Sequence, residues 1–506
     1  MVNDTWEIAL AMSSPGKGSK VGLRGSLVIP GSSRRRQKRS PSEDDGVASE
    51  VFDIIRRGMN VCLIQPKARR RPMDTELKAR MSPHLGLLTI SGLLERAGHD
   101  VRIVNGNVEP VEIPEGIDLV GISVTVDVLP AAIELAKVCR AKGVPVVAGG
   151  IGISSDPERA RPHFDALCIG PAEGHWPRLV DDLRRGELKR EYVTPPDFRG
   201  EDLAAPSFRN ALPSQCLYGN VIAASRGCPF ACDFCYNSTP ALRGRYLHRT
   251  VESVMDEIRT KGVRHVMFID DNFIGDLSFA RRLVEAMRPL RLKWNAAVSA
   301  NIVDHPDLLD LMRETGCRSL FIGFESINAE SVSGVHKRQN DVARYEKLVG
   351  MLHDRGIMVN ASFVFGLDSD GPSVFRDTLD WIVRNRIETV TSHILTPYPG
   401  TALYERMKGE GRLTDDDLSH YDTAHVVFRP KGMTAQELYD GYLWIYREVY
   451  SWRNIVRRTP RSPAQFVPYC LFNLFYRKYG HLTEQLGRAI GFNRVGALAR
   501  RLSYWR

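Results

Sequence analysis

Long uncharged runs are missing from this 506-residue sequence. No stretch approaches the roughly 20 apolar residues that a membrane-spanning helix needs, which argues against an integral membrane protein. A compact apolar segment followed by small residues is also missing near the N-terminus, so no secretory signal is expected and the location reads as cytoplasmic. Cysteine is sparse and uneven: of nine, only three are bunched. An odd, unevenly spread set excludes a disulfide framework and points to a metal site in a reducing compartment. Cys62, Cys139, Cys168, Cys317 and Cys470 sit in apolar or helical surroundings and read as small buried hydrophobes. Cys216 lies in a loop ahead of the trio, and its role stays open.

What is present is ordinary for a globular chain, with 43% hydrophobic and 25% charged residues. The length implies two or three domains. The formal charge of +9 is concentrated in two runs. One is Ser33-Arg34-Arg35-Arg36-Gln37-Lys38-Arg39, inside a Gly/Ser/Pro-rich tail; the other is Lys67-Ala68-Arg69-Arg70-Arg71. A basic tail of this composition reads as solvated, and no nucleic-acid partner is expected.

Residues 1–57 lack periodicity and read as a disordered basic tail; translation starting at Met59 is an open alternative. From 58 to 190, short apolar strands (60–65, 101–104, 119–124, 144–148, 166–169) alternate with helical stretches near 84–97 and 129–142. That pattern predicts a doubly wound, Rossmann-like parallel sheet covered on both faces, with ligands beyond the strands' carboxyl ends. Residues 191–215 carry several prolines and read as a linker. A second series spans 216–410, with strands at 221–224, 265–269, 293–298, 319–324, 360–366 and 388–395. Six βα units predict a partial (β/α)6 TIM-like barrel with its chemistry at the carboxyl-end face. Residues 411–506 turn helical and aromatic.

The decisive segment is Arg226-Gly227-Cys228-Pro229-Phe230-Ala231-Cys232-Asp233-Phe234-Cys235-Tyr236-Asn237. It follows the first barrel strand, where an active-face loop belongs. Three thiolates spaced Cys-x3-Cys-x2-Cys can ligate three irons of a [4Fe–4S] cluster and leave the fourth open to an outside ligand. The competing reading is a zinc knuckle completed by a distant histidine, or three incidental cysteines.

This segment resembles the signature of the radical S-adenosylmethionine superfamily. The resemblance implies that Cys228, Cys232 and Cys235 hold the cluster, and that the open iron is chelated by S-adenosylmethionine, whose reductive cleavage yields a 5′-deoxyadenosyl radical. It also carries roles to looser matches. Asp270, Asp271 and Asn272 end the second barrel strand, where relatives contact the methionyl amino group. Glu325 and Ser326 end the fourth, where relatives bind ribose and methionyl carboxylate. Gly366 ends the fifth, beside the adenine, with room for close backbone approach.

The front domain resembles the cobalamin-binding domain found ahead of many radical barrels, on Ser82-Pro83-His84-Leu85-Gly86-Leu87-Leu88, Gly98-His99-Asp100-Val101, Asp118–Ser123, Val146–Gly150 and Gly170-Pro171-Ala172-Glu173-Gly174. Ser123, Thr125, Gly149 and Gly150 then fall where the corrin or its nucleotide tail packs. Pro66-Lys67-Ala68-Arg69 stands where the classical domain supplies a cobalt-binding histidine; His84 is the nearest candidate and reads better as a helix start.

The function implied is cobalamin-dependent methylation of an unactivated carbon. The alternatives are a radical cyclisation, rearrangement or other oxidative step, and, more remotely, a cobalamin or redox sensor. Expected partners are a small-molecule substrate of apolar character and an electron donor such as flavodoxin or ferredoxin. The aromatic stretch 465–479 is expected to dock on the barrel, with a substrate pocket or peripheral membrane contact as the other readings.

Overall fold

The computed structural model describes residues 58–72, 82–211, 216, 219–474 and isolated positions between 485 and 494. The basic tail expected over 1–57 and the end of the aromatic stretch, 475–479, lie outside the described residues.

The front unit is a six-stranded parallel sheet in the order β2-β1-β3-β4-β5-β6. Its strands are β1 (Asn60–Gln65), β2 (Asp100–Asn105), β3 (Leu119–Ser123), β4 (Val146–Gly149), β5 (Ala166–Ile169) and β6 (Glu191–Val193). Helices α1 (Leu85–Arg96), α2 (Leu129–Ala141) and α3 (Trp176–Arg184) connect them. Alternate residues of β1 point to opposite faces. Val61 and Leu63 pack with Leu87 and Trp176, whereas Cys62 and Ile64 join a second core with Val120 and Ile122. Both faces are thus covered, as the continuous apolar runs require. Glu191–Val193, expected to open a linker, instead forms the sheet's sixth strand. Tyr192 is fully buried and donates to Asp182 at 3.0 Å.

The second unit is a parallel sheet whose strands follow one another in chain order, β7 (Val221–Ile222), β10 (His265–Phe268), β11 (Lys293–Val298), β12 (Cys317–Glu325), β13 (Met358–Phe365) and β14 (Thr389–Ile394). Helices α4 (Val251–Lys261), α5 (Leu277–Met287), α6 (Pro306–Glu314), α7 (Tyr345–Asp354) and α8 (Val374–Arg384) return the chain between them. Sequential parallel strands with helices on one side make the open barrel predicted from the repeats. Between β7 and α4, a two-stranded antiparallel ribbon forms from β8 (Ser225–Gly227) and β9 (Tyr246–His248).

An open barrel leaves β14 with an unpaired edge, a row of donors and acceptors that must be covered. Of the described C-terminal helices, α9 (Ala402–Gly409), α10 (Ala435–Val449), α11 (Trp452–Arg457) and α12 (Pro463–Leu474), the edge is met by α10, α12 and Arg458 just after α11. At the C-terminal end of α10, the Tyr450 hydroxyl donates to Val390 O at 2.6 Å, and Tyr446 within the helix donates to Ser392 O at 3.2 Å. The fully buried Arg458 donates to Ile387 O at 2.6 Å, and Asn473 on α12 donates to Glu388 O at 3.1 Å. The described part of the aromatic tail therefore docks on the barrel. No helix among the described residues is long and apolar enough to cross a membrane.

One apolar core runs unbroken from the front sheet (Ile64, Val124) into the barrel (Ile222, Phe268). Segments that follow the strands of the two sheets meet at this boundary. Gly400, at φ 84°, lies so close to Ser155 of the front unit that an added Cβ would sit 2.4 Å from its carbonyl oxygen. Arg159 reaches the Tyr404 hydroxyl at 3.4 Å across the same boundary.

Candidate cluster loop and cofactor face

The cysteine segment is the loop that closes the β8–β9 ribbon, so its two ends are clamped by paired backbone. Gly227 pairs with Tyr246 at φ 84°, and an added Cβ would lie 2.0 Å from Arg245 O. Only glycine fits that approach. The loop is tied down from within the barrel. Gly227 N donates to Asp271 Oδ2 at 3.2 Å, Asn237 Nδ2 to the same oxygen at 3.0 Å, and the Tyr236 hydroxyl to Oδ1 at 2.9 Å. Asp233 anchors the middle, accepting from Arg406 on α9 at 3.1 Å and pairing with His336 at 2.8 Å.

Cys228, Cys232 and Cys235 are free thiols, Cys232 buried and the others partly so. Burial pushes Cys228 up to about 11 and Cys235 up to about 12, and raises Cys232; the neighbouring thiols and Asp271 add to the rise at Cys228 and Cys235. Among the described residues no closed cage of three His, Cys, Asp or Glu side chains is assembled. The donor set still fits an iron–sulfur cluster. All three thiols are raised by burial, Cys228 and Cys235 further by a neighbouring thiol, so they become thiolates together only when a cationic centre offsets their charge, and thiolate is the form iron requires.

Asp270 takes a different place from its neighbour. It is buried, accepts from Ala224 N at 3.3 Å and from the Ser225 hydroxyl, and burial pushes it up to about 6. Its oxygens thus fix the end of β7. Asn272 holds Ser299 at the end of β11, accepting from its amide at 3.3 Å. Glu325 sits at a register shift between β12 and β13 with φ 63°, a conformation non-glycine residues rarely adopt. Its carboxylate pairs with the buried Lys337. Burial works against the Lys337 charge, but Glu325 and Cys232 outweigh it and its pKa is raised. Ser326 is buried and accepts from Asn328 N at 3.1 Å. Gly366, at φ 96°, makes its close approach to Leu438 of α10, where an added Cβ would stand 2.7 Å from a methyl.

On the front sheet, Ser123 and Gly149 end adjacent strands in register. Gly150 follows at φ 104°, where a Cβ would stand 2.7 Å from Val124 O. Thr125 is exposed and donates to Asp127 at 2.5 Å. His84 caps α1, accepting from Leu87 N at 3.2 Å, and its other ring nitrogen lies 2.9 Å from Ser123 Oγ. The histidine is therefore a helix cap that also fixes the β3 strand end. These small, partly open residues at the strand ends fit a flat macrocycle laid against them.

The joint between the two faces went unforeseen. Arg226, next to the cysteine loop, makes two hydrogen bonds of 2.8 Å to the carboxylate of Glu173 beyond β5. Lys337 and Gln339, beside Cys232, were missed as well. A basic residue shortly before the signature glycine was the only signal, and nothing local named its partner.

Residues 222–382 match the radical SAM superfamily, 79–180 the B12 binding domain, and 401–473 a domain of unknown function (DUF4070). The chain is 31% identical to the bacteriochlorophyllide d C-12(1)-methyltransferase of Chlorobaculum tepidum over 440 residues, 82% of this chain and 93% of that protein. It is 31% identical to the hopanoid C-2 methylase of Rhodopseudomonas palustris over 306 residues, 56% of each. Its fold matches a solved structure of the radical S-adenosylmethionine methyltransferase TsrM from Kitasatospora setae with a TM-score of 0.61 at 16% identity, covering 86% of this chain and 99% of that one. A [4Fe–4S] cluster, S-adenosylmethionine and cobalamin are the cofactors these domains bring. The chain belongs to the radical S-adenosylmethionine superfamily, in the group that carries a B12-binding domain ahead of the radical barrel and includes the bacteriochlorophyllide methyltransferase.

Proposed function

We propose that this protein methylates an unactivated carbon of a large, mainly apolar small molecule. The observation that carries the proposal is the Glu173–Arg226 bridge, which seats the front domain's carboxyl face at the cysteine loop. A methyl group held on one face and a radical made on the other would act on one substrate between them. The relatives named for bacteriochlorophyllide and hopanoid methylation support the apolar substrate class, since both are extended hydrophobic ring systems.

The division is read as a front domain over 58–193, closed by β6, a barrel over 216–410 and a helical region beyond. When bound, the cluster with S-adenosylmethionine would supply a carbon-centred radical, and cobalamin would supply the methyl group. The chain's residues do the rest. Cys228, Cys232 and Cys235 would hold the cluster. Asp271 fixes their loop from beneath, and Asp233 locks it to α9. Asn272, Glu325 and Ser326 are left at the strand ends to receive the nucleoside cofactor. Ser123, Thr125, Gly149 and Gly150 would cradle the corrin. The continuous apolar core between the sheets excludes water that would quench a radical. A redox partner supplies the electron.

The test is anaerobic reconstitution with iron, sulfide and hydroxocobalamin, then incubation with S-adenosylmethionine and a strong reductant. Bound corrin, together with 5′-deoxyadenosine and S-adenosylhomocysteine, is expected. Deoxyadenosine from a protein that retains no corrin would overturn the methylation reading.

A further inference from the structure

Lys337 and Gln339 stand two residues apart on the segment that follows β12; Gln339 reaches the central cysteine of the cysteine loop, and the Lys337 charge acts on it from its pair with Glu325. The Gln339 side-chain amide donates to Cys232 Sγ at 3.3 Å, while its oxygen is 3.9 Å from the same sulfur. A thiolate bound to iron can only accept, so the amide nitrogen is the partner that persists when the cluster is in place. Gln339 also lines a cavity of about 140 Å³ together with Asn301, Asp304, Arg344 and Tyr345. It is therefore the wall between the sulfur and that space. Asn340 holds the neighbouring backbone: its side chain donates to Gly323 O at 2.8 Å and Phe324 O at 3.2 Å. Asn340 thus pins the segment to β12 and leaves Gln339 little freedom to swing away.

We propose that Gln339 is a positioning residue that sets the reduction potential of the cluster through its hydrogen bond to Cys232 Sγ. The step concerned is the uptake of one electron by the oxidised [4Fe–4S]²⁺ cluster to give [4Fe–4S]⁺, with no proton or bond change. The added electron spreads onto the sulfurs, so a donor aimed at one of them stabilises the reduced form more than the oxidised one. Lys337 works in the same direction. Its ammonium is buried near Cys232, but Glu325 neutralises it, which leaves the neutral amide as the adjustable contact. The inference rests on the family assignment of the three cysteines and is independent of the substrate.

Gln339→Met keeps the length of the side chain and removes the donor; Gln339→Glu keeps the shape and adds negative charge. The reconstituted holoproteins would be titrated anaerobically with titanium(III) citrate in the presence of mediators, the reduced cluster being followed by electron paramagnetic resonance and iron and sulfide counted per chain. At equal cluster content, Gln339→Met should lower the equilibrium constant for reduction about tenfold, a shift of about −59 mV for one electron. Gln339→Glu should lower it further. A Gln339→Met potential equal to that of the unsubstituted protein overturns the proposal. So does a loss of cluster with an unchanged potential in what remains, which would make Gln339 a mere loop support. If the unsubstituted protein takes up no cluster at all, the cysteine assignment fails instead, and the two failures are told apart.

Discussion

Arg226 and Glu173 lie 53 positions apart and meet in a two-pronged pair, both contacts at 2.8 Å, at the seam between the two sheets. Glu173 is nearly sealed, with 3% of its side chain exposed, and also accepts from Ala204 N at 3.2 Å; Arg226 stays one-third open. Since Arg226 directly precedes Gly227 and Cys228, the pair ties the cysteine loop to the domain that binds the second cofactor. A planar guanidinium suits this fork and an ammonium does not.

Replacing Arg226 by Met should therefore do more harm than replacing Glu173 by Gln. The first leaves a buried carboxylate without its ion-pair partner, a cost of about 3 kcal/mol, whereas the second leaves a guanidinium one-third open that water can serve. Chemical denaturation would rank the two. Hydrogen exchange should show the faster-opening segment to be the cysteine loop, and equal effects from both variants would argue that the bridge is incidental.

Much of the architecture was legible because it depends on local periodicity. The apolar strands of both sheets and the order of the barrel follow from runs such as Val61–Ile64 and Val359–Phe365, and the cysteine spacing singled out the loop that closes the β8–β9 ribbon. Short polar elements escaped. β6 has three residues and β8 reads Ser-Arg-Gly, too little to show a period of two. Contacts across long separations escaped too, since no pattern near residue 226 points to 173, and none near 232 points to 339. Gly366 illustrates a partial success: the need for close approach was visible, but the neighbour is Leu438 on a helix some 70 residues later.

Glycine at 227 gives a sharper test of the ribbon. An alanine there must place its Cβ against Arg245 O at a positive φ, so Gly227→Ala should cost about 2 kcal/mol or more. The damage should be local, with iron per chain falling after reconstitution while cobalamin binding stays near normal. Full cluster uptake by this variant would show that the loop does not depend on the tight crossing.

Removing the thiols should separate the two cofactor sites. Cys228→Ala, Cys232→Ala and Cys235→Ala combined should bring iron and sulfide to background, because the described residues hold no preassembled group of three His, Cys, Asp or Glu side chains that could take the iron instead. The front sheet, with Gly149 and Gly150 intact, should still take up hydroxocobalamin, seen in its visible spectrum. Iron retained at the unsubstituted level would refute the assignment of the cluster to this loop.

Two buried histidines set the response to acid. His175, 3% exposed, is pushed down to about 4 by burial; His265 is pushed down to about 3 by burial, with Lys293 and Arg318 adding to it. Each stays neutral in the folded protein where the unfolded chain, titrating near 6.5, takes up a proton. Their contribution to stability is therefore complete above about pH 6.5 and is lost as the pH falls toward 4. Asp270 and Asp370, raised to about 6 by burial, act in the opposite sense as the pH climbs from about 4 to 6, so absolute stability is a poor readout. The difference between variants is a good one. His175→Gln should remove about 2 kcal/mol of the stability lost between pH 7 and pH 5, at about 1.4 kcal/mol per unit of differential protonation. Urea denaturation at both pH values measures it, and an unchanged difference would mean that His175 is protonated in the folded protein after all.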